Sequence, residues 1–381
     1  MNHGLYIHIP FCLKKCVYCD FYSLTDLTLR QPFVDALLRE MVLAQNSDGV
    51  TDTLYFGGGT PSVLTRSQIQ ALYRQALELF HLSSDSEITV EVNPGTISSN
   101  DFVFLKQIGI NRINIGIQSF ASEALKFLGR IHNPKQAKKV IEDARQAGFE
   151  NIGLDLIFGI PGQTRKAWQA DLDTALSFSP EHIACYMLSF ESGTLLTKQM
   201  QAGTIKPLCE QDLADLFRET QDILGLADYE QYEISSYAKI SADGVCRRSR
   251  HNQKYWSFAP YTGLGPSAHS YRPPSRYWNV RNLRGYLQAI SRNRLPLGNS
   301  EKTTPEQEIT ETIYLGLRTA DGIDTARFKQ KFNLDFDRTF DNTLKMFCND
   351  SLMVQSKGRY ALSPKGMLFH ESIVSRLLEK I

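Results

Sequence analysis

Six segments in the first half of the chain alternate apolar with polar positions, and helical spacing fills the gaps between them. The alternation covers 5–9, 52–57, 87–93, 112–118, 152–158 and 182–190, is rich in β-branched residues, and predicts strands. Between them 31–46, 66–80, 121–128, 134–147 and 165–178 carry apolar residues three and four apart, as helices covering a sheet do. Strand–helix alternation repeated in this way predicts a parallel sheet with right-handed crossovers, either an open doubly wound layer or a sheet curled towards a barrel. The two strand faces separate these outcomes. In 87–93, Ile88, Val90 and Val92 oppose Thr89, Glu91 and Asn93; in 112–118, Ile113, Ile115 and Ile117 oppose Arg112, Asn114 and Gln118. Tyr6 and His8 likewise oppose Ile7 and Ile9, and Asp155 opposes Leu154 and Leu156. An open sheet between two helix layers needs both faces apolar. The fold class expected is therefore α/β, an incomplete (β/α)6 TIM-like barrel whose polar inner face holds a polar ligand.

Beyond residue 190 the repeat stops. A helix near 210–226, extended pieces around 229–236 and 276–280 and a helix near 283–292 form a mixed α+β stretch. From about 303, helical patterns at 305–319, 324–331 and 337–349 lead into Leu352–Val354, a turn at Ser356-Lys357-Gly358-Arg359, and Tyr360-Ala361-Leu362, an order resembling a winged helix. The expected domains are 1–190 for the barrel, 191–300 for the α+β extension and 301–381 for the winged-helix-like region. The last reads as a packing or protein-contact module, with DNA binding as the alternative.

Charge and composition narrow the partners. The 42 lysines and arginines balance 41 acidic residues, a formal charge of +1, so no global attraction to nucleic acid or anionic membrane is expected. No apolar run approaches the roughly 20 residues of a membrane span, which leaves only peripheral contact open. The N-terminal residues carry neither a basic stretch before a long apolar run nor a small-residue cleavage site, so a cytoplasmic protein is expected.

Seven cysteines without an export signal argue against a disulfide framework and for reduced thiols or metal ligands. Cys12, Cys16 and Cys19 crowd into eight residues directly after the first strand, at the mouth where such barrels place active sites; Cys185, Cys209, Cys246 and Cys348 are scattered and read as small buried hydrophobes. Three thiolates suit a cubane cluster, leaving one of its four irons open to a substrate. Zinc is the alternative and would need a fourth ligand such as Asp20, His8 or a distant cysteine.

Cys12-x3-Cys16-x-Tyr18-Cys19 after the strand Tyr6-Ile7-His8-Ile9-Pro10 resembles the radical S-adenosylmethionine (SAM) superfamily, and the rest of the chain resembles its oxygen-independent coproporphyrinogen III oxidase-like family. The resemblance implies one 4Fe-4S cluster per chain on Cys12, Cys16 and Cys19. It implies that Gly57-Gly58-Gly59-Thr60-Pro61, with Gly58, Gly59 and Thr60, meets the methionine end of SAM, and that Tyr6, Tyr18, Glu91, Gln118, Arg130 and Asp155 complete the cofactor site. The implied chemistry is one-electron reductive cleavage of the sulfonium, fed by a donor such as flavodoxin or ferredoxin.

Two departures from the oxidase resemble the haem chaperone branch of this family. Asp20-Phe21-Tyr22-Ser23 follows Cys19 where the oxidase carries another cysteine two residues on, and the first strand begins at residue 5 without the oxidase's N-terminal extension. The segment Arg247-Arg248-Ser249-Arg250-His251-Asn252-Gln253-Lys254-Tyr255-Trp256 resembles the His-Asn-x-x-Tyr-Trp motif to which haem binding is attributed in that branch. His251 and Tyr255 are then expected iron ligands, with His269 a second candidate and the flanking cations partners for propionates. A solvated basic loop with a locally bonded histidine is the alternative. Haem-accepting proteins are the partners this branch implies; porphyrinogen decarboxylation is the competing activity.

Overall fold

A computed structural model of the chain describes residues 2–45, 49–240 and 244–380. Its centre is six parallel strands in sequential order: β1 (His3–Ile9), β2 (Thr51–Gly58), β3 (Leu82–Val92), β4 (Arg112–Gln118), β5 (Ile152–Phe158) and β6 (His182–Met187). Helices α1 (Arg30–Ala44), α2 (Arg66–Leu79), α3 (Ser99–Gln107), α4 (Ser122–Phe127), α5 (Pro134–Gln146) and α6 (Arg165–Ser177) connect them. The apolar strand face, including Ile7, Phe56, Val90, Ile115 and Leu154, is buried with Phe33, Leu72, Phe102, Ile141 and Trp168 from these helices. The opposite face lines one cavity reached from β2, β3, β4, β5 and β6 together, which only a curled sheet permits. The fold is the incomplete α/β barrel that the one-sided alternation implies.

Strands beyond residue 190 extend this sheet at both edges. After α7 (Leu195–Gln201) and α8 (Glu210–Leu226), β7 (Tyr229–Gln231) and β8 (Ser236–Lys239) form a hairpin whose β8 runs antiparallel to β6. A short helix, α9 (Arg250–Trp256), leads to β9 (Tyr261–Leu264), which pairs parallel with β1. Next come β10 (His269–Arg272), β11 (Ser275–Asn279), helix α10 (Leu283–Ser291) and β12 (Leu297–Lys302), giving a twelve-stranded sheet. The final region has helices α11 (Pro305–Arg318), α12 (Thr325–Phe332) and α13 (Phe336–Asn349), then β13 (Ile323–Asp324), β14 (Met353–Ser356) and β15 (Arg359–Leu362) in a separate three-stranded sheet, and ends in helices Pro364–Met367 and His370–Leu378.

Several boundaries differ from the expected ones. The strand expected at 182–190 stops at Met187, because Leu188 turns out of the sheet to pack with Leu128, Ile157, Ile160 and Leu196. The helix expected at 31–46 is seen as Arg30–Ala44, residue 46 lying outside the described residues. The strand expected from 87 begins at Leu82, where a polar run including Ser83, Ser84 and Asp85 hides the alternation.

Candidate cluster and cofactor site

From Pro10 the chain leaves β1 and folds back on itself: the Leu24 N–H donates to the Pro10 carbonyl (2.8 Å) and the Cys12 N–H to that of Leu24 (2.9 Å). This closed loop carries Cys12, Cys16 and Cys19, all partly exposed and unbridged, onto a cavity of about 560 Å³ at the C-terminal ends of the parallel strands. Among the described residues no three histidine, cysteine or acidic side chains converge on a single ion position, and a cubane, which takes one thiolate per iron, requires no such convergence.

One chain of side chains joins two of the thiols. Thr60 donates to Cys12 Sγ at 3.4 Å and accepts from Asn93 Nδ2 at 2.8 Å. Asn93 Oδ1 accepts from Arg130 Nη2 at 2.5 Å, and Arg130 Nη1 lies 3.6 Å from Cys16 Sγ. The same guanidinium donates to the Gly116 carbonyl at 2.6 Å, while its Nε is buried with no hydrogen-bond partner among the described residues. Tyr18 lines the cavity beside it. Arg130 thus places a cation between the cluster loop and the cavity, with one donor left over for an anionic ligand group.

The glycines of the second strand end are there for close approach. A β-carbon on Gly58, whose φ is +104°, would lie 2.6 Å from the His8 ring, and one on Gly59 would lie 2.6 Å from the Phe11 carbonyl oxygen. Glu91 accepts from the Tyr55 hydroxyl (2.7 Å) and the Gly58 N–H (3.2 Å); Asp155 accepts from Asn114 Nδ2 (2.7 Å). Gln118, also on the cavity wall, has φ of +66°, a left-handed conformation costing on the order of 1 kcal/mol that collects at ligand sites. Of the expected cofactor residues, Tyr18, Gly58, Gly59, Thr60, Glu91, Gln118, Arg130 and Asp155 share this one cavity. Tyr6 does not line it; its hydroxyl sits 3.2 Å from His8 Nδ1 behind the glycine turn. The expectations did not assign Asn93 and Asn114 a role, although both stand on the polar face.

The donor set fits the cofactor that the barrel and cysteine motif imply. Burial pushes the Glu91 carboxyl up to about 7 and the Asp155 carboxyl up to about 6, so both favour a cation, and SAM carries an ammonium and a sulfonium. Bound there with the cluster, it would supply one-electron cleavage chemistry; Arg130 would hold its carboxylate, Glu91 and Asp155 would hold its cationic and hydroxyl groups, and the cavity walls would exclude water. Both carboxyls hold their protons more tightly folded than unfolded. They therefore favour the fold below the unfolded carboxylate range, and this contribution is lost as pH rises through about 6 to 7. Binding a cationic ligand should reverse the shift and expel protons. Calorimetric titration of SAM into cluster-loaded protein, in buffers of different ionisation enthalpy, should show proton release at about pH 6 and little at about pH 8. Release that is equal at both pH values would remove these carboxyls from the site.

The expected haem residues stand elsewhere. His251 is not on an open basic loop: Ser249 caps α9, and the His251 side chain, 1% exposed, enters the bottom of the barrel. Its Nδ1 is 2.8 Å from Thr53 Oγ1 and its Nε2 2.9 Å from the Tyr255 hydroxyl, so both nitrogens are engaged; burial lowers its pKa to about 3. The neighbouring cations are also committed. Arg248 pairs with Glu230 and Asp321, Arg250 with Asp52 and Asp85, and the buried Lys254 with Asp52 at 2.6 Å. In this structure, then, neither His251 nor Tyr255 presents a free iron ligand on the surface, and Arg248, Arg250 and Lys254 are paired within the chain and do not stand open to propionates. His269 differs: it is exposed on β10, stacked on the Trp278 indole at 5.5 Å and 22°.

Comparison with known proteins agrees with the fold and the loop. The Radical SAM superfamily model matches residues 6–175, and the HemN C-terminal domain model matches 303–369. The heme chaperone HemW of Bacillus subtilis (strain 168) is 34% identical over 381 residues, covering 99% of each chain, and that of Escherichia coli (strain K12) is 38% identical over 298 residues, 75% of each. Among solved structures, the E. coli coproporphyrinogen III oxidase HemN, a radical SAM enzyme, superposes with a TM-score of 0.84 at 24% identity, covering 99% of this chain and 90% of the other, a likeness of fold. With relatives this similar along the whole length, the chain belongs to the heme chaperone HemW family of the radical SAM superfamily.

Proposed function

We propose that this protein binds one 4Fe-4S cluster, SAM and haem, and delivers haem to haem-accepting proteins. The observation that carries this reading is the full-length similarity to a chain named heme chaperone, together with Phe21 at the position where the oxidase carries a further cysteine. Phe21 is 66% exposed at the cavity edge, a side chain with no ligand chemistry. A low-potential carrier such as flavodoxin or ferredoxin reduces the cluster, and the protein works in the cytoplasm. Among the described residues no helix is long and apolar enough to cross a membrane.

For haem, His269 is the better of the two expected histidines. Partial burial and then Arg276 lower its pKa, which favours the neutral imidazole an iron ligand needs, and its side chain is exposed on β10. Haem titrated into cluster-free protein should give a His-ligated spectrum that His269→Ala abolishes or weakens about tenfold or more. An unchanged spectrum would remove His269. Transfer to an apo-haem protein, followed by its absorbance, tests the delivery step, and haem that stays with this protein in the presence of every acceptor tried would contradict it.

A further inference from the structure

Helix α9 closes the barrel beneath the cofactor cavity, and we propose that it sets the position of Glu91 through Tyr55, making His251 a positioning residue for the cofactor site. The proposal rests on Glu91 being a cofactor ligand and extends that reading to an element of the chain that the cavity does not touch.

The geometry runs upward in one column. At the base, the two oxygens of Glu87 accept the main-chain N–H groups of Arg250 and His251 (both 3.1 Å), and Lys254 pairs with Asp52, so α9 is tied to the start of β2 and the middle of β3. The His251 ring is fixed at both nitrogens by Thr53 and Tyr255. Its face lies on the Tyr55 ring at 5.1 Å and 28°, with Tyr6 stacked at 6.2 Å. Tyr55 in turn donates to Glu91, which also accepts from the Gly58 N–H.

Gly57 shows how closely this column is fitted. A β-carbon there would come within 2.9 Å of Tyr55 Cε1, 3.1 Å of Tyr6 Cε2 and 3.2 Å of the Glu91 carboxyl carbon. The bare position lets two tyrosines and a carboxylate meet at the level where the cavity begins. A buried carboxylate with two donors loses much of its support for the ionised form when one moves away. If the His251 ring were absent, Tyr55 would lose the surface that holds its hydroxyl on Glu91. Charged and titratable groups facing this column include His3, Tyr6, Glu87, Arg112, Asp155, Lys254 and Tyr255, and among the described residues the Tyr55 hydroxyl bonds to Glu91 and to none of these.

The test is a double-mutant cycle on SAM affinity, measured by equilibrium dialysis with cluster-loaded protein. Tyr55→Phe should weaken binding about tenfold, the loss of one hydrogen bond to a charged group. His251→Ala should weaken it by a similar factor, and the double variant should be no worse than either, because both act through one bond. In both single variants the pH at which affinity is half lost should move up, since Glu91 then ionises less readily. His251→Phe, which keeps a ring against Tyr55, should restore most of the affinity. Additive losses, or an unshifted pH midpoint in Tyr55→Phe, would overturn the proposal; so would a His251→Ala protein that loses haem while keeping SAM. If His251→Ala does not fold, the Tyr55→Phe midpoint and the His251→Phe affinity decide. SAM affinity that survives Asp155→Ala would show instead that the cavity reading itself is wrong, and this proposal would fall with it.

Discussion

Anaerobically reconstituted protein is expected to bind about four irons and four sulfides per chain, and each of Cys12→Ala, Cys16→Ala and Cys19→Ala is expected to abolish this. The three thiols lie on one closed loop at one cavity. Each would supply one iron of the cluster with its protein ligand, so removing any of them would leave two thiolates to hold a cluster that normally keeps three. Cys185, Cys209, Cys246 and Cys348 should be dispensable for loading. Cys185 is buried in β6 among core side chains and Cys348 packs in α13 of the C-terminal region, but Cys209, just before α8 with its thiol 3.1 Å from Asp212, and Cys246 are exposed and are not the buried hydrophobes expected. Iron and sulfide analysis with an optical spectrum checks this. A scattered cysteine as necessary as the first three would mean a four-thiolate cluster with no iron open to SAM.

Arg130→Ala is expected to weaken SAM binding by about 1.5–3 kcal/mol, on the order of ten- to a hundredfold, the usual range for a hydrogen bond to a charged group. Its guanidinium meets the cavity just beyond α4, and its Nε is a buried donor with no hydrogen-bond partner among the described residues. The loss should exceed that of trimming an exposed ion pair, which water and salt screen. Because Asn93 and the Gly116 carbonyl also depend on this side chain, Arg130→Lys should restore charge without the fork and recover only part of the affinity. Iron content should stay near wild type, since Arg130 touches Cys16 only at 3.6 Å. Unchanged affinity would place the methionine carboxylate elsewhere.

Much of this site is legible along the chain because it sits on strands. Glu91, Asn93, Asn114, Gln118 and Asp155 share the polar face by period alone, and the cysteine loop follows the first strand directly. The burial of the 247–256 segment is not legible along the chain, for a reason that also comes from physics. Arg248, Arg250 and Lys254 read as a basic loop because their carboxylate partners, Asp52, Asp85, Glu230 and Asp321, lie far away in sequence, and a seven-residue helix buried by tertiary contact has no long amphipathic pattern. The strands added beyond residue 190 are hidden too: β12 is exposed along its whole length and β9 is four residues with an internal glycine, so neither shows alternation.

Carrier and decarboxylase are separated most directly by one measurement: reconstituted, reduced protein is given SAM with coproporphyrinogen III, and in parallel with haem, and both tetrapyrroles are followed. Stable haem binding with coproporphyrinogen III left unconverted is the predicted result. Conversion to protoporphyrinogen IX, with one deoxyadenosine released for each carboxylate lost, would contradict it.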